Sequence, residues 1–238
     1  MKYAYVNSSF IQFDTATMKK FLHAFLLLSA LVATGAHATI VRGIGTSALV
    51  GNDLTDPENN GNQHNYVNYN ATFRSSDSNG FNGEGPFNVF DNVLGGGDAK
   101  WCCSAGTVWV EAQFDKQYTL TSFTASSAND VPDRDSLHWT IQGSNDGIVY
   151  TNIFEYNKSV SAWSNRLQVN QYLVGTDFAA PAAYSIFRYQ STLTGGGHQL
   201  GELEFFGTAA AAVPEPTAPA LLGLGLAALM FARRQRKN

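Results

Sequence analysis

Val108-Trp109-Val110-Glu111-Ala112-Gln113-Phe114 alternates apolar and polar side chains with a period of two. Successive side chains of an extended chain point to opposite faces, so this stretch reads as a half-buried strand. Leu137, Trp139, Ile141 and Gly143, interleaved with His138, Thr140 and Gln142, repeat the pattern. Ser144-Asn145-Asp146-Gly147 follows at once, with residues that tolerate positive φ and turn the chain.

Outward from these two segments the same grammar continues. Further strands are expected at 118–126, 166–170, 183–189 and 202–206. Asn59-Asn60-Gly61-Asn62 and residues 75–80 are turn clusters, with a strand expected between them at 66–73. No helical period of useful length runs between Thr39 and Gly207. Short strands, frequent turns and one core predict an all-β fold, a jelly-roll β-sandwich.

Composition narrows the function. The chain has 238 residues, 22 of them Gly, with 16 Phe, 10 Tyr and 4 Trp. Its net charge of −4 hides an asymmetry. Between Thr39 and Ala212 stand eight Lys/Arg and seventeen Asp/Glu, a net charge of −9. So acidic a domain opposes nucleic-acid binding, which needs phosphate neutralisation. It suits a cation site or a neutral glycan.

Both ends carry sorting signals. Lys19 and Lys20 precede an apolar run from Phe21 to Val32, then Ala36-His37-Ala38. That order predicts a secretory signal peptide over residues 1–38, with Met18 as the better start. At the other end, Ala-rich residues 208–217 form a linker that carries Pro214-Glu215-Pro216. Residues 218–238 follow as an apolar stretch and a basic close, Arg233-Arg234-Gln235-Arg236-Lys237. As a helix, residues 218–232 would reach ~22 Å of a ~30 Å hydrocarbon core, a short transmembrane span with its basic tail cytoplasmic.

Val213-Pro214-Glu215-Pro216, the short apolar helix and the terminal Arg cluster resemble the PEP-CTERM sorting signal. The resemblance implies processing by an exosortase and delivery to the cell surface or an exopolysaccharide matrix. The membrane then anchors the chain through its C-terminal helix only until processing.

A second resemblance covers residues 87–207. Phe90-Asp91-Asn92, Lys100-Trp101 and the strand at 108–114 look like the start of a discoidin domain, the coagulation factor V/VIII type C family of galactose-binding-like sandwiches. Residues 129–147 are similar to its middle, and Gln199-Leu200-Gly201-Glu202-Leu203-Glu204-Phe205-Phe206-Gly207 to its final strand. Asn92 stands where the family usually has Gly, and Ser136 where it has Pro. The resemblance places a β-sandwich over 39–207 and implies one structural Ca²⁺. Asp91 and Glu202 would supply carboxylates, and the loop through Asp98 and Lys100 further oxygens, as a hard cation wants.

Sugar binding needs an aromatic platform and planar polar groups. Trp163, Tyr156, His198 and Arg134 are the loop-placed candidates, while Trp101, Trp109 and Trp139 are assigned to the core. Arg134 also reads as an ion-pair partner for Asp133 or Asp135. Cys102 and Cys103, the only cysteines, admit a ring between neighbours or two buried thiols. A metal site would lack a second pair. No Gly-x-Ser-x-Gly, His-Glu-x-x-His or phosphate-loop motif occurs, so no catalytic residue is assigned. The expectation is a non-enzymatic, exported protein that binds an exopolysaccharide; a structural matrix protein without a specific ligand is the alternative.

Overall fold

The computed structural model describes residues 39–56, 71–76, 83–192 and 197–211. Among the described residues the strands are β1 (Ile40–Ile44), β2 (Thr72–Ser75), β3 (Trp101–Cys102), β4 (Val108–Ser126), β5 (His138–Ser144), β6 (Thr151–Asn157), β7 (Gln168–Leu173), β8 (Tyr184–Ser191), β9 (Gln199–Leu200) and β10 (Leu203–Ala209). The signal peptide, Pro214, Glu215, Pro216 and the C-terminal apolar stretch lie outside the described residues.

β4 organises the sandwich. Its first half pairs antiparallel with β2 and β8, and its second half with β7 and β10. Between them the register shifts, at the exposed Asp115, Lys116 and Gln117. A bulged, bent strand of this kind can pass from one sheet to the other. One layer is thus β2-β4-β8-β5-β6 and the other β1-β7-β4-β10. The two segments expected at 108–114 and 118–126 are one 19-residue strand.

Alternation puts Val108, Val110, Ala112 and Phe114 inside, as the sequence predicts. Within a layer Phe123 stacks on its cross-strand partner Tyr172 at 4.7 Å, and Trp139 packs against Phe154 and Tyr189 at 5.1 and 5.5 Å; between the layers Trp139 meets Tyr172 at 5.7 Å. Aromatic pairs at such separations add to simple burial. Trp101 and Trp139 are buried, as expected, but Trp109 is half-exposed on the outer face. Its neighbour on that face, Glu111, is buried all the same. Arg74 and Arg188 hold its carboxylate at 2.6 and 2.7 Å, and the Arg188 guanidinium is stacked between the Trp109 and Tyr150 rings.

Two short elements close one end of the sandwich. β3 pairs with β9, placing Trp101 opposite Leu200 and Cys102 opposite Gln199. The Gln199 side chain donates to the carbonyls of Asp130 and Val131 at 2.5 and 2.9 Å. The loop between β4 and β5 is thereby fastened to β9.

Candidate functional site

Two clusters of charge stand out, one buried beside β10 and one open at the β3–β9 end. The buried one begins with Asp91, which ends a 3₁₀ turn at Pro86–Phe90 and accepts from the Val93 amide at 2.9 Å. Asn92 follows at φ 57°, in the left-handed region. Gly and Asn enter that region most readily, which accounts for Asn where the discoidin pattern has Gly. Glu202 comes from the turn before β10. Gly201 precedes it because a Cβ there would meet the Ser127 carbonyl at 2.6 Å.

The structure brings Asp91 and Glu202 together, with no exposed surface on either. Residues 50–56 add what sequence reading missed. Leu54 N–H donates to the Phe205 carbonyl at 2.8 Å, laying this segment along β10. It thereby buries Asp53 and Asp56 beside Glu204 and Asn92. The Asn92 amide donates to Asp53 and Asp56 at 3.2 Å each. Glu204 accepts from Val50 N–H at 3.1 Å, Gly51 N–H at 2.5 Å and the Thr124 hydroxyl at 2.6 Å.

Asp91 Oδ2, Asn92 Oδ1 and both Glu202 oxygens are buried without a hydrogen-bond partner among the described residues. Nor does any described Lys or Arg pair with Asp53, Asp91, Glu202 or Glu204. Burial therefore pushes the Asp53 carboxyl up to about 6 and Asp91 to about 7. Glu202 rises well above the usual range, through burial first and then repulsion from Asp91, Glu204 and Asp53. Orphaned hard oxygens and repelling carboxylates are the donor set that fits Ca²⁺. Asp98 is not part of it. It lies against Gly83, and the acids acting on Asp91 and Glu202 are Asp53, Asp56 and Glu204. The resemblance pointed to a loop near Asp91 in sequence, whereas the added acids come from residues 50–56 and β10.

The second cluster is an open cleft of about 320 Å³ lined by Glu84, Lys100, Cys103, Asp130 and Arg134. Lys100 is 2% exposed, and its ammonium lies 3.0 Å from Asp130 and 3.5 Å from Glu84. Cys102 N–H donates to the Glu84 carbonyl at 3.0 Å, fixing that wall to the floor. Cys102 and Cys103 form a disulfide across a cis peptide bond. Arg134 Nη1 approaches Cys102 Sγ at 3.6 Å, and its guanidinium has no other partner among the described residues. Arg134 does not pair with Asp133 or Asp135; Asp135 is gripped by both Nη atoms of Arg166 instead. Val131, which opens the turn carrying Arg134, sits at φ 32°. A β-branched residue there is strained, and strain of this kind concentrates at functional loops.

The other expected ligand contacts are packed away. Trp163 is 3% exposed, lies parallel to Trp139 at 6.2 Å and donates its indole N–H to the Ala125 carbonyl at 3.0 Å. His198 is fully buried between Trp101 and Tyr189, and burial pushes it down to about 3. Tyr156 is half-buried, stacks on Trp139 at 5.7 Å and donates its hydroxyl to the Val160 carbonyl. The sequence places all three on exposed loops, but the Trp163 and His198 rings fill the core and Tyr156 lies within β6. Of the four candidates, only Arg134 lines the cleft.

Beyond the described residues, the sequence at the C terminus decides the sorting question. Residues 212–237 match the PEP-CTERM protein-sorting motif. The motif spans Pro214-Glu215-Pro216, the apolar stretch and the Arg cluster. Among curated proteins no sequence matches the chain. Among solved structures it is similar to CBM62 from Clostridium thermocellum Xyl5A, at 19% identity and a TM-score of 0.46 over 59% of this chain and 96% of that one. It is also similar to CpGH89CBM32-5 from Clostridium perfringens in complex with GalNAc-β-1,3-galactose (14% identity, TM-score 0.44, 58% and 95% covered). A third is chitosan-binding module 2 of a Paenibacillus sp. IK-5 chitosanase/glucanase, in complex with chitotriose (17%, 0.44, 58% and 97%). The PEP-CTERM motif marks the chain for export and sorting toward the cell surface.

Proposed function

We propose that this exported protein holds a carbohydrate, the exopolysaccharide of its own matrix, in the Glu84–Lys100–Cys103–Asp130–Arg134 cleft. The cleft's charge balance carries the reading. Two carboxylates and two cations line an open cavity, so it is neutral within an acidic domain. Glu84 and Asp130 offer acceptors to sugar hydroxyls, and the partner-free edge of Arg134 offers planar donors. Lys100, drawn between the two acids, fixes them before a ligand arrives, which lowers the ordering cost of binding. Among the described residues the cleft lining has no aromatic ring, and the disulfide at Cys103 supplies apolar surface. A structural Ca²⁺ among Asp91, Glu202, Asn92 and their acidic neighbours ties the 50–56 segment to β10. An exosortase removes the C-terminal signal, releasing the chain from its membrane anchor to the surface or matrix. The domain has no catalytic role in this reading.

The test is retention of the full chain on purified matrix polysaccharide, compared with its Arg134→Ala variant. Retention that falls with Arg134 supports the cleft. No retention on any matrix polymer leaves a structural matrix block as the better reading.

A further inference from the structure

The cleft floor has a property that glycan binding does not use. Among the described residues, one group of three Cys, His, Asp or Glu side chains brings its ligating atoms within 4.8 Å of one another: Glu84, Cys102 and Cys103. In the oxidised chain the two sulfurs are bonded to each other and are not thiolate ligands. We propose that reduction of this disulfide opens a binding site for one divalent cation of thiol-loving type, the Zn²⁺ class, held by both sulfurs and the Glu84 carboxylate.

The chemistry balances with a dithiol as reductant. The protein disulfide accepts two electrons and two protons, and the reductant closes into its own disulfide. Metal binding then displaces both cysteine protons to solvent, because the thiolate is the ligand. Two thiolates and one carboxylate make a three-ligand set that leaves a fourth position open to water.

Charge supports the assignment independently of distance. In the oxidised cleft Glu84 and Asp130 are offset by Lys100 and Arg134. Two thiolates would leave that set with two negative charges, the charge that one divalent cation neutralises. The same change of redox state thus converts a neutral cleft into a cation site. Access is already present, since Cys103 and Glu84 line the open cavity. The proposal does not rest on glycan binding.

The experiment uses the full chain, treated with a dithiol, freed of reductant under anaerobic conditions and titrated with Cd²⁺. The expected result is one equivalent bound with a thiolate-to-metal absorption band, loss of both titratable thiols, and no band in the oxidised chain. The band reports sulfur ligation, so Cd²⁺ entering the buried acids around Asp91 does not imitate it. Glu84→Gln should still release two thiols on reduction but bind Cd²⁺ roughly tenfold or more weakly. Disulfide that resists the dithiol overturns the proposal. So does a reduced chain without the band, or an unchanged Cd²⁺ affinity in Glu84→Gln.

Discussion

The acids around Asp91 and those lining the Arg134 cleft are handled in opposite ways. Beside β10, Asp53, Asp56, Asp91, Glu202 and Glu204 are all buried, and oxygens of Asp91 and Glu202 have no donor among the described residues. At the β3–β9 end, Glu84 and Asp130 share the Lys100 ammonium beside an open cavity. Buried charges are tolerable only when compensated or neutralised, and in the proposed function a cation compensates the first cluster. The second is complete in itself and can exchange water for a ligand. Under the proposed function, one region therefore answers to a cation through stability, and the other to a ligand through affinity.

The largest effect should follow from breaking the first arrangement. Ca²⁺ at about a hundred times its dissociation constant adds roughly 2.7 kcal/mol to stability, or roughly 5–10 °C in Tm for a domain of this size. Asp91→Asn should abolish most of that gain while raising the Tm of the metal-free chain near neutral pH, because it removes one repelling carboxylate. A calorimetric scan with Ca²⁺ and with chelator reads both. Equal gains in the two chains would place the cation elsewhere.

Next comes pH, where the sign separates this cluster from ordinary ion-paired acids. Asp53 and Asp91 have folded values raised to about 6 and about 7, and burial with repulsion from Asp91 raises Glu202 well above its usual range. A raised carboxylate binds its proton more tightly when folded. Its contribution is full below the ordinary value near 4 and is lost as pH rises through the folded value. The metal-free chain should therefore lose stability between about pH 4 and pH 7, and Ca²⁺ should reverse the trend by favouring the ionised forms. Urea unfolding in chelator at pH 4.5 and 7.5 measures it; stability that rises over this interval would contradict the repelling cluster.

How far the sequence carries this contrast depends on the distance over which each feature is written. Alternation at 108–114 and 137–143 shows two central strands, because burial on one face is a local pattern. It does not show that β4 runs unbroken through Asp115, Lys116 and Gln117, since polar residues at a bend look like a turn. β6 escapes detection as an edge strand whose residues are mostly exposed or half-buried. Asp91 and Glu202 are legible through their resemblance to a discoidin pattern. Asp53 and Asp56 are not, because only the pairing of Leu54 with Phe205 places them there. Trp163 and His198 mislead for the converse reason. A loop in sequence can still point a ring inward, as Trp163 does on reaching the Ala125 carbonyl.

In the cleft, the effects should fall on binding and spare stability. Arg134 is half-buried, with a single weak contact to Cys102 Sγ. Arg134→Ala should move Tm little but weaken glycan binding roughly tenfold or more, since hydrogen bonds from a charged donor are worth about 1.5–3 kcal/mol. Affinity electrophoresis in matrix polysaccharide reads the loss. A large fall in Tm with unchanged mobility would make Arg134 a structural residue.

The smallest expected change in stability is also the finest probe of the cleft's neutrality. The Asp130 side chain is 45% exposed, so solvent screens its pairing with the buried Lys100 from one side, and Lys100 keeps Glu84 as a second partner. Asp130→Asn should leave Tm within a few degrees, and the Asp130 backbone carbonyl still receives the Gln199 amide. What changes is charge. Lys100 and Arg134 then face Glu84 alone, and the cleft gains one net positive charge. Binding should shift toward acidic polysaccharides over neutral ones, with the shift shrinking as salt is raised. If the preference between acidic and neutral polymers is untouched at low salt, the balance of charge in the cleft does not select the ligand.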